Sequence, residues 1–95
     1  MVPRTRIPTH PGVILLREFL EPVGISPAKL ARHLGVPRSK VREIVSGTSA
    51  VEADMAWLLA GAFGTSPEIW IRLQNAYDLA VSRPARTVER LTGRV

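Results

Sequence analysis

The chain has 95 residues, 45% of them hydrophobic, and no cysteine. This length builds one packed domain rather than two, and the lack of thiols excludes disulfides, thiolate nucleophiles and cysteine metal sites. Thirteen Lys and Arg against eight Asp and Glu leave a net charge of +5, which directs attention to polyanionic partners.

Residues 1–9 carry Pro3, Pro8, Arg4 and Arg6 with no apolar period, and read as a flexible basic arm. They are not an export leader, because the apolar run Val13 to Leu16 is cut at once by Arg17 and Glu18. A first helix is expected from Pro11 to Leu20, with Ile14, Leu15, Phe19 and Leu20 inward, ended by Pro22 to Gly24. Ser26 and Pro27 then supply an N-cap and a first helical residue.

The segment from Pro27 to Gly47, PAKLARHLGVPRSKVREIVSG, has the spacing of a helix-turn-helix. Leu30, Ala31 and Leu34 share a helix face, and Ala31 is small where a second helix must cross. Gly35 can take the left-handed conformation that ends the helix, and Val36 fills the turn. In the next helix Val41, Ile44 and Val45 form an apolar stripe. Arg38, Ser39, Lys40, Arg42, Glu43 and Ser46 spread over the remaining surface. Such a pair places its second helix in a DNA major groove; an ordinary helical hairpin is the alternative. Charge favours the DNA reading. Between Ser26 and Gly47, Lys29, Arg32, Arg38, Lys40 and Arg42 against Glu43 leave +4, whereas Thr48 to Ser82 carries −3 from Arg72 against Glu52, Asp54, Glu68 and Asp78.

A fourth helix is expected from Glu52 to Phe63, with Glu52 and Asp54 in the first turn and Gly64 closing it. Ser66 and Pro67 repeat the earlier start signal for a last helix reaching about Val81, with Ile69, Trp70, Leu73, Tyr77 and Ala80 at helical spacing. Residues 10–82 thus form the domain and 83–95 a basic tail. The tail is either frayed or a short helix with Arg83, Arg86, Arg90 and Arg94 on one side and Val88, Leu91 and Val95 on the other. The longest uncharged run, between Asp54 and Glu68, is 13 residues, below the roughly 20 that span a bilayer. A soluble, cytoplasmic, all-α domain is expected, without membrane attachment, cofactor or small-molecule substrate.

From His10 to Arg83 the sequence HPGVILLREFLEPVGIS…LARHLGVPRSKVREIVSG…ADMA…FGTSPEIW…LQNAYDLAVSR resembles the HigA antitoxins, or VapI group, of the Xre-like helix-turn-helix proteins. His-Pro-Gly before helix one, Gly-Val-Pro-Arg-Ser in the turn and Gly-Thr-Ser-Pro-Glu-x-Trp before the last helix carry the resemblance over about four-fifths of the chain. It implies a five-helix, λ-repressor-like fold and a homodimer. It also implies a HigB-type mRNA endonuclease toxin as protein partner, and repression of the shared operon. Where the family commonly has Gly-Lys-Arg, this chain has Gly47, Thr48 and Ser49, so hydroxyl or backbone contacts from Thr48 and Ser49 would have to replace two cations on phosphate. Met55 to Phe63 lacks the family's usual arginines, and Val13 and Leu16 stand where Glu and Arg are common. These substitutions give either an apolar partner surface or a larger core.

By the docking geometry of λ-type repressors, Arg38, Ser39 and Glu43 are the candidate base readers. Arg38 suits guanine O6 and N7, Ser39 several bases, and Glu43 cytosine N4, each good bidentate contact discriminating by about 1–3 kcal/mol. Glu43 could equally pair with Ser39 or Lys40 within the helix. Ser26, Lys29, Lys40 and Arg42 suit phosphates, Ser26 through the helix N-terminus it caps. Trp57, Leu58, Trp70, Leu73 and Tyr77 are candidate dimer or partner contacts, with burial inside the monomer as the alternative, above all for Trp70. Dimerisation would call for double-stranded DNA with an inverted repeat, its half-sites about 34–36 Å apart. Catalysis has little support: His10 and His33 lie far apart, Glu18 and Glu21 read as a solvated pair, and no metal motif or phosphate loop occurs. A stand-alone Xre-type repressor without a toxin, and a protein-binding module that keeps the fold without binding DNA, remain alternatives.

Overall fold

The computed structural model describes residues 7–91. Among these it contains helices and turns and no strand. Arg4, Arg6 and Pro3 of the arm, and Arg94 and Val95 of the tail, lie outside the described residues.

The first helix is shorter as an α-helix than its sequence period suggests. α1 (Pro11–Ile14) passes into a π-helical segment, Leu15–Leu20, and then a 3₁₀ turn, Glu21–Val23. The wider turn, marked by the Glu21 N–H donating to the Leu16 carbonyl, brings residues five apart toward one side. It therefore buries both Leu15 and Leu20 completely, each contributing about 1.5–3 kcal/mol. Gly24, at φ 70°, ends the segment.

α2 (Pro27–Leu34) begins as its sequence requires, with Ser26 Oγ accepting from the Lys29 N–H at 3.1 Å. Gly35 adopts φ 74°, and the Val36 N–H reaches back to the Ala31 carbonyl at 3.0 Å, turning the chain into α3 (Arg38–Val45). Ala31 is buried at the α2–α3 crossing, and Val41 and Ile44 face inward from α3. α4 (Ala53–Phe63) starts with Glu52 as its N-cap, so of the two acids only Asp54 lies in the first turn. α5 (Pro67–Val81) repeats the Ser-Pro start, Ser66 Oγ accepting from the Ile69 N–H at 3.3 Å.

The core gathers Leu15, Leu20, Leu30, Val41, Ile44, Val51, Met55, Leu59 and Trp70. Trp70 is therefore corrected from interface candidate to core residue. It is 1% exposed, its Nε1 donates to Thr65 Oγ1 at 2.8 Å, and its ring meets Phe19, which in turn meets Phe63. The sequence left open whether unusual apolar residues enlarge the core or cover the surface, and the answer differs by helix. Leu16 packs against the core, whereas Trp57 is 68% exposed on α4 with Leu58 exposed beside it. Beyond α5, residues 83–91 form no helix and are exposed. Among the described residues no helix is long and apolar enough to cross a membrane.

Gly12 marks a close approach of α1 to the main chain of α3. A Cβ there would collide with the main-chain carbonyl of Ile44, a backbone group that cannot swing aside. Gly12→Ala is expected to lower unfolding free energy by about 3 kcal/mol or more. Gly61→Ala, with nothing within 4 Å of the added methyl, should raise it by about 0.5–1 kcal/mol. Urea denaturation of the two variants checks the contrast.

Candidate nucleic-acid interface

α3 presents one continuous polar side. Arg38, Ser39, Arg42, Glu43 and Ser46 are exposed and Lys40 is half-buried, while Val41 and Ile44 anchor the opposite side. Lys29, Arg32, Arg38, Lys40 and Arg42 make no ion pair with any described residue, so their fields project outward. Glu43 is likewise unpaired with Ser39 or Lys40 among the described residues. A groove of about 220 Å³ between α2 and the start of α3 is lined by Ala28, Ala31, Arg32, Val36 and Arg38. It sets Arg32 beside Arg38, an assignment that the sequence reading missed. The signal was the i, i+6 placement of two cations across a helix-turn-helix elbow.

The exit of α3 differs from expectation in its detail. The Glu43 carbonyl accepts from the N–H groups of Thr48 (2.9 Å) and Ser49 (3.1 Å), and from Ser46 Oγ (3.0 Å) and Thr48 Oγ1 (3.2 Å). Ser46 thus spends its hydroxyl, Thr48 its hydroxyl and N–H, and Ser49 its N–H on closing the helix, and both N–H groups proposed as phosphate contacts turn inward. Ser49 keeps its hydroxyl, on a half-buried side chain. Ser26 is exposed and its Oγ already caps α2.

Two buried polar side chains hold this exit in place, and neither was assigned a structural role from sequence. Gln74 of α5 is 4% exposed; its Oε1 accepts from the Val51 N–H at 2.8 Å and its Nε2 donates to Asp78 Oδ1 at 2.9 Å. His10 is 6% exposed and caps α1, its Nδ1 accepting from the Gly12 N–H at 2.9 Å. Its ring stands edge-on to Tyr77 of α5, with centroids 4.8 Å apart. Burial holds the His10 pKa below the usual histidine range, against an opposing pull from the Asp78 carboxylate.

The remaining candidate contacts do not form one patch. Trp57 lines a groove of about 370 Å³ between α4 and α5, over Ala53, Ala56 and Ile71, with Glu68 and Arg72 at its rim. Leu73 lines a different groove of about 330 Å³, against Ile14, Phe19 and Ile69. Tyr77 is half-buried on His10.

A small-residue elbow beneath an outward cationic helix defines the helix-turn-helix class of protein. The helix-turn-helix family model matches residues 16–70. The antitoxin HigA-1 of Vibrio cholerae is 42% identical over 74 residues, covering 78% of this chain and 70% of that protein. The solved antitoxin GraA in complex with its operator superposes with a TM-score of 0.83 at 38% identity, over 97% of this chain and 99% of that one. The Pseudomonas aeruginosa antitoxin HigA, solved with the higBA promoter, gives 0.77 at 47% identity, over 79% of this chain and 82% of that one. The chain belongs to the Xre-like helix-turn-helix family, in its HigA/VapI-type group.

Removing the Gln74 side chain leaves the buried Val51 N–H without an acceptor. Gln74→Ala should cost about 1–3 kcal/mol in urea denaturation. An exposed α5 position such as Asn75, changed to Ala, should stay within about 0.5 kcal/mol of the parent.

Proposed function

We propose that this chain is the antitoxin of a two-component module that, as a homodimer, represses its own operon by binding an inverted repeat in double-stranded DNA. The observation that carries this reading is the outward polar side of α3, whose cations make no ion pair among the described residues, on a fold superposable along nearly its whole length on an antitoxin solved with its operator. In this reading Arg38, Ser39 and Glu43 read base edges, since all three are exposed along the side that enters a groove. Lys29, Lys40 and Arg42 hold phosphates, joined by Arg32 from α2. The Ser26 end of α2 adds main-chain donors. Ser49 can donate only its hydroxyl proton to phosphate, and Thr48 only by giving up its bond to the Glu43 carbonyl, so the affinity rests on the cations of α2 and α3.

One module makes few base contacts, and two give usable selectivity. The exposed Trp57 and Leu58 of α4, beside the groove rimmed by Glu68 and Arg72, are the contacts we assign to the second copy; Leu73, in a different groove, and Tyr77, on His10, are not part of that patch. The protein partner is a HigB-type toxin, supported by the named HigA relatives.

Binding titrations on the native upstream duplex, at several salt concentrations, test the DNA roles. Arg38→Ala should shrink the difference between operator and scrambled duplexes by about 1–3 kcal/mol. Lys40→Ala should weaken both alike and lower the salt slope by about one. Identical behaviour of the two variants would remove these roles, and indifference to the upstream duplex at low salt would remove the repressor reading. Sedimentation of a Trp57→Ser, Leu58→Ser double variant is expected to show monomers with an unchanged melting temperature. Co-purification with the product of the neighbouring reading frame tests the toxin.

A further inference from the structure

His10 touches α1, the exit of α3 and α5. It caps α1 through the Gly12 N–H, one of the first-turn donors that has no helical partner. Its ring lies beside Gly47, where a methyl would come within 3.8 Å of the imidazole; Gly47 is the φ 82° residue that leads the chain out of α3. The third contact is Tyr77 on α5. Gly12 itself sits so close to the Ile44 carbonyl that the α1 start and the α3 end have no slack between them.

We propose that His10 is a positioning residue for DNA binding, a wedge whose ring fixes the pitch of α3 on the body of the domain and holds it only while Nδ1 serves as an acceptor. The inference rests on the operator-binding reading above. An imidazole that accepts at Nδ1 carries its proton on Nε2. A second proton would place a donor at Nδ1 facing the Gly12 N–H, so the cap opens and the ring leaves its slot. From α5 the ring is faced by the carboxylate of Asp78 and the phenol of Tyr77. From α1 and the α3 exit it is faced by Pro11, Gly12 and Gly47, which carry no titratable side chain. Asp78 already receives the Gln74 amide, which ties its carboxylate to the same α5 network.

The sign follows from the direction of the shift. The folded pKa lies below the ordinary 6.5, so the unfolded or displaced ring takes the proton first. Correct placement of α3 is complete above that value and is lost as pH falls below it, through the lower folded pKa.

The test compares the full-length parent, His10→Asn and His10→Ala on the native upstream duplex at constant ionic strength. Fluorescence anisotropy and far-UV circular dichroism are read together from about pH 8 to about pH 5.5. Asn keeps an N-cap acceptor but does not titrate. At pH 8 the Asn variant should bind within about threefold of the parent, and the Ala variant about tenfold more weakly, as for one lost buried hydrogen bond. On acidification the parent should lose about fivefold or more in affinity while still folded, and the Asn variant clearly less. Parallel pH profiles of parent and Asn variant would overturn the inference, as would loss of affinity only in step with unfolding. If the Ala variant does not fold, the parent and Asn profiles decide alone. A parent that ignores the duplex at pH 8 and low salt would overturn the operator reading itself, whereas a binding parent with pH-insensitive affinity overturns only the role of His10.

Discussion

The meeting of Gly12 with the Ile44 carbonyl sets the geometry of this domain. Helices packed through side chains can slide by a rotamer or two, but main chain pressed on main chain cannot. Because the carbonyl belongs to the last turn of α3, the angle at which α3 stands off the core is fixed by α1 rather than by α2 alone. Gln74 extends the same frame to the segment after α3 by holding the Val51 N–H. α3 is thus braced at its start by the Gly35 elbow and at its end by α1 and α5.

That bracing bears on how a small domain reads DNA. An α3 with few base-reading side chains gains selectivity only if those side chains arrive together in register, and a rigid mount lets the phosphate contacts set that register. In the proposed reading Lys29, Arg32, Lys40 and Arg42 supply attraction and orientation, and Arg38, Ser39 and Glu43 supply discrimination. The strength of the field comes from the sorting of charge, with cations clustered on α2 and α3 and acids on α4 and α5.

Much of this was legible in the sequence, for reasons that are local. Ser26-Pro27, Ser66-Pro67, Gly35 and Gly64 mark helix ends because capping depends on residues within one turn. The stripe Val41, Ile44, Val45 separates the two sides of α3 by periodicity alone. What escaped depends on residues distant in sequence. His10 and Gln74 are polar, and nothing in their spacing says that they are buried against Tyr77 or Val51. The π turn arises because Leu15 and Leu20 must both enter the core, a demand invisible until the neighbouring helices are in place. α4 is apolar all round, so MAWLLAGAF gives no period from which to place Trp57 outside and Met55 inside. Trp57 and Trp70 are both candidate contacts by sequence, with burial the alternative above all for Trp70, and packing puts Trp70 inside and Trp57 outside.

The stop of α3 also bears on how such a domain can diversify. The group that gathers four donors and ties off the helix is the main-chain oxygen of residue 43, while the side chain of the same residue points the other way, into solvent. Every amino acid brings the same oxygen. Position 43 can therefore exchange its outward chemistry, acid for amide or hydroxyl, without loosening the knot behind it, and new sequence preferences can arise on an unaltered chassis.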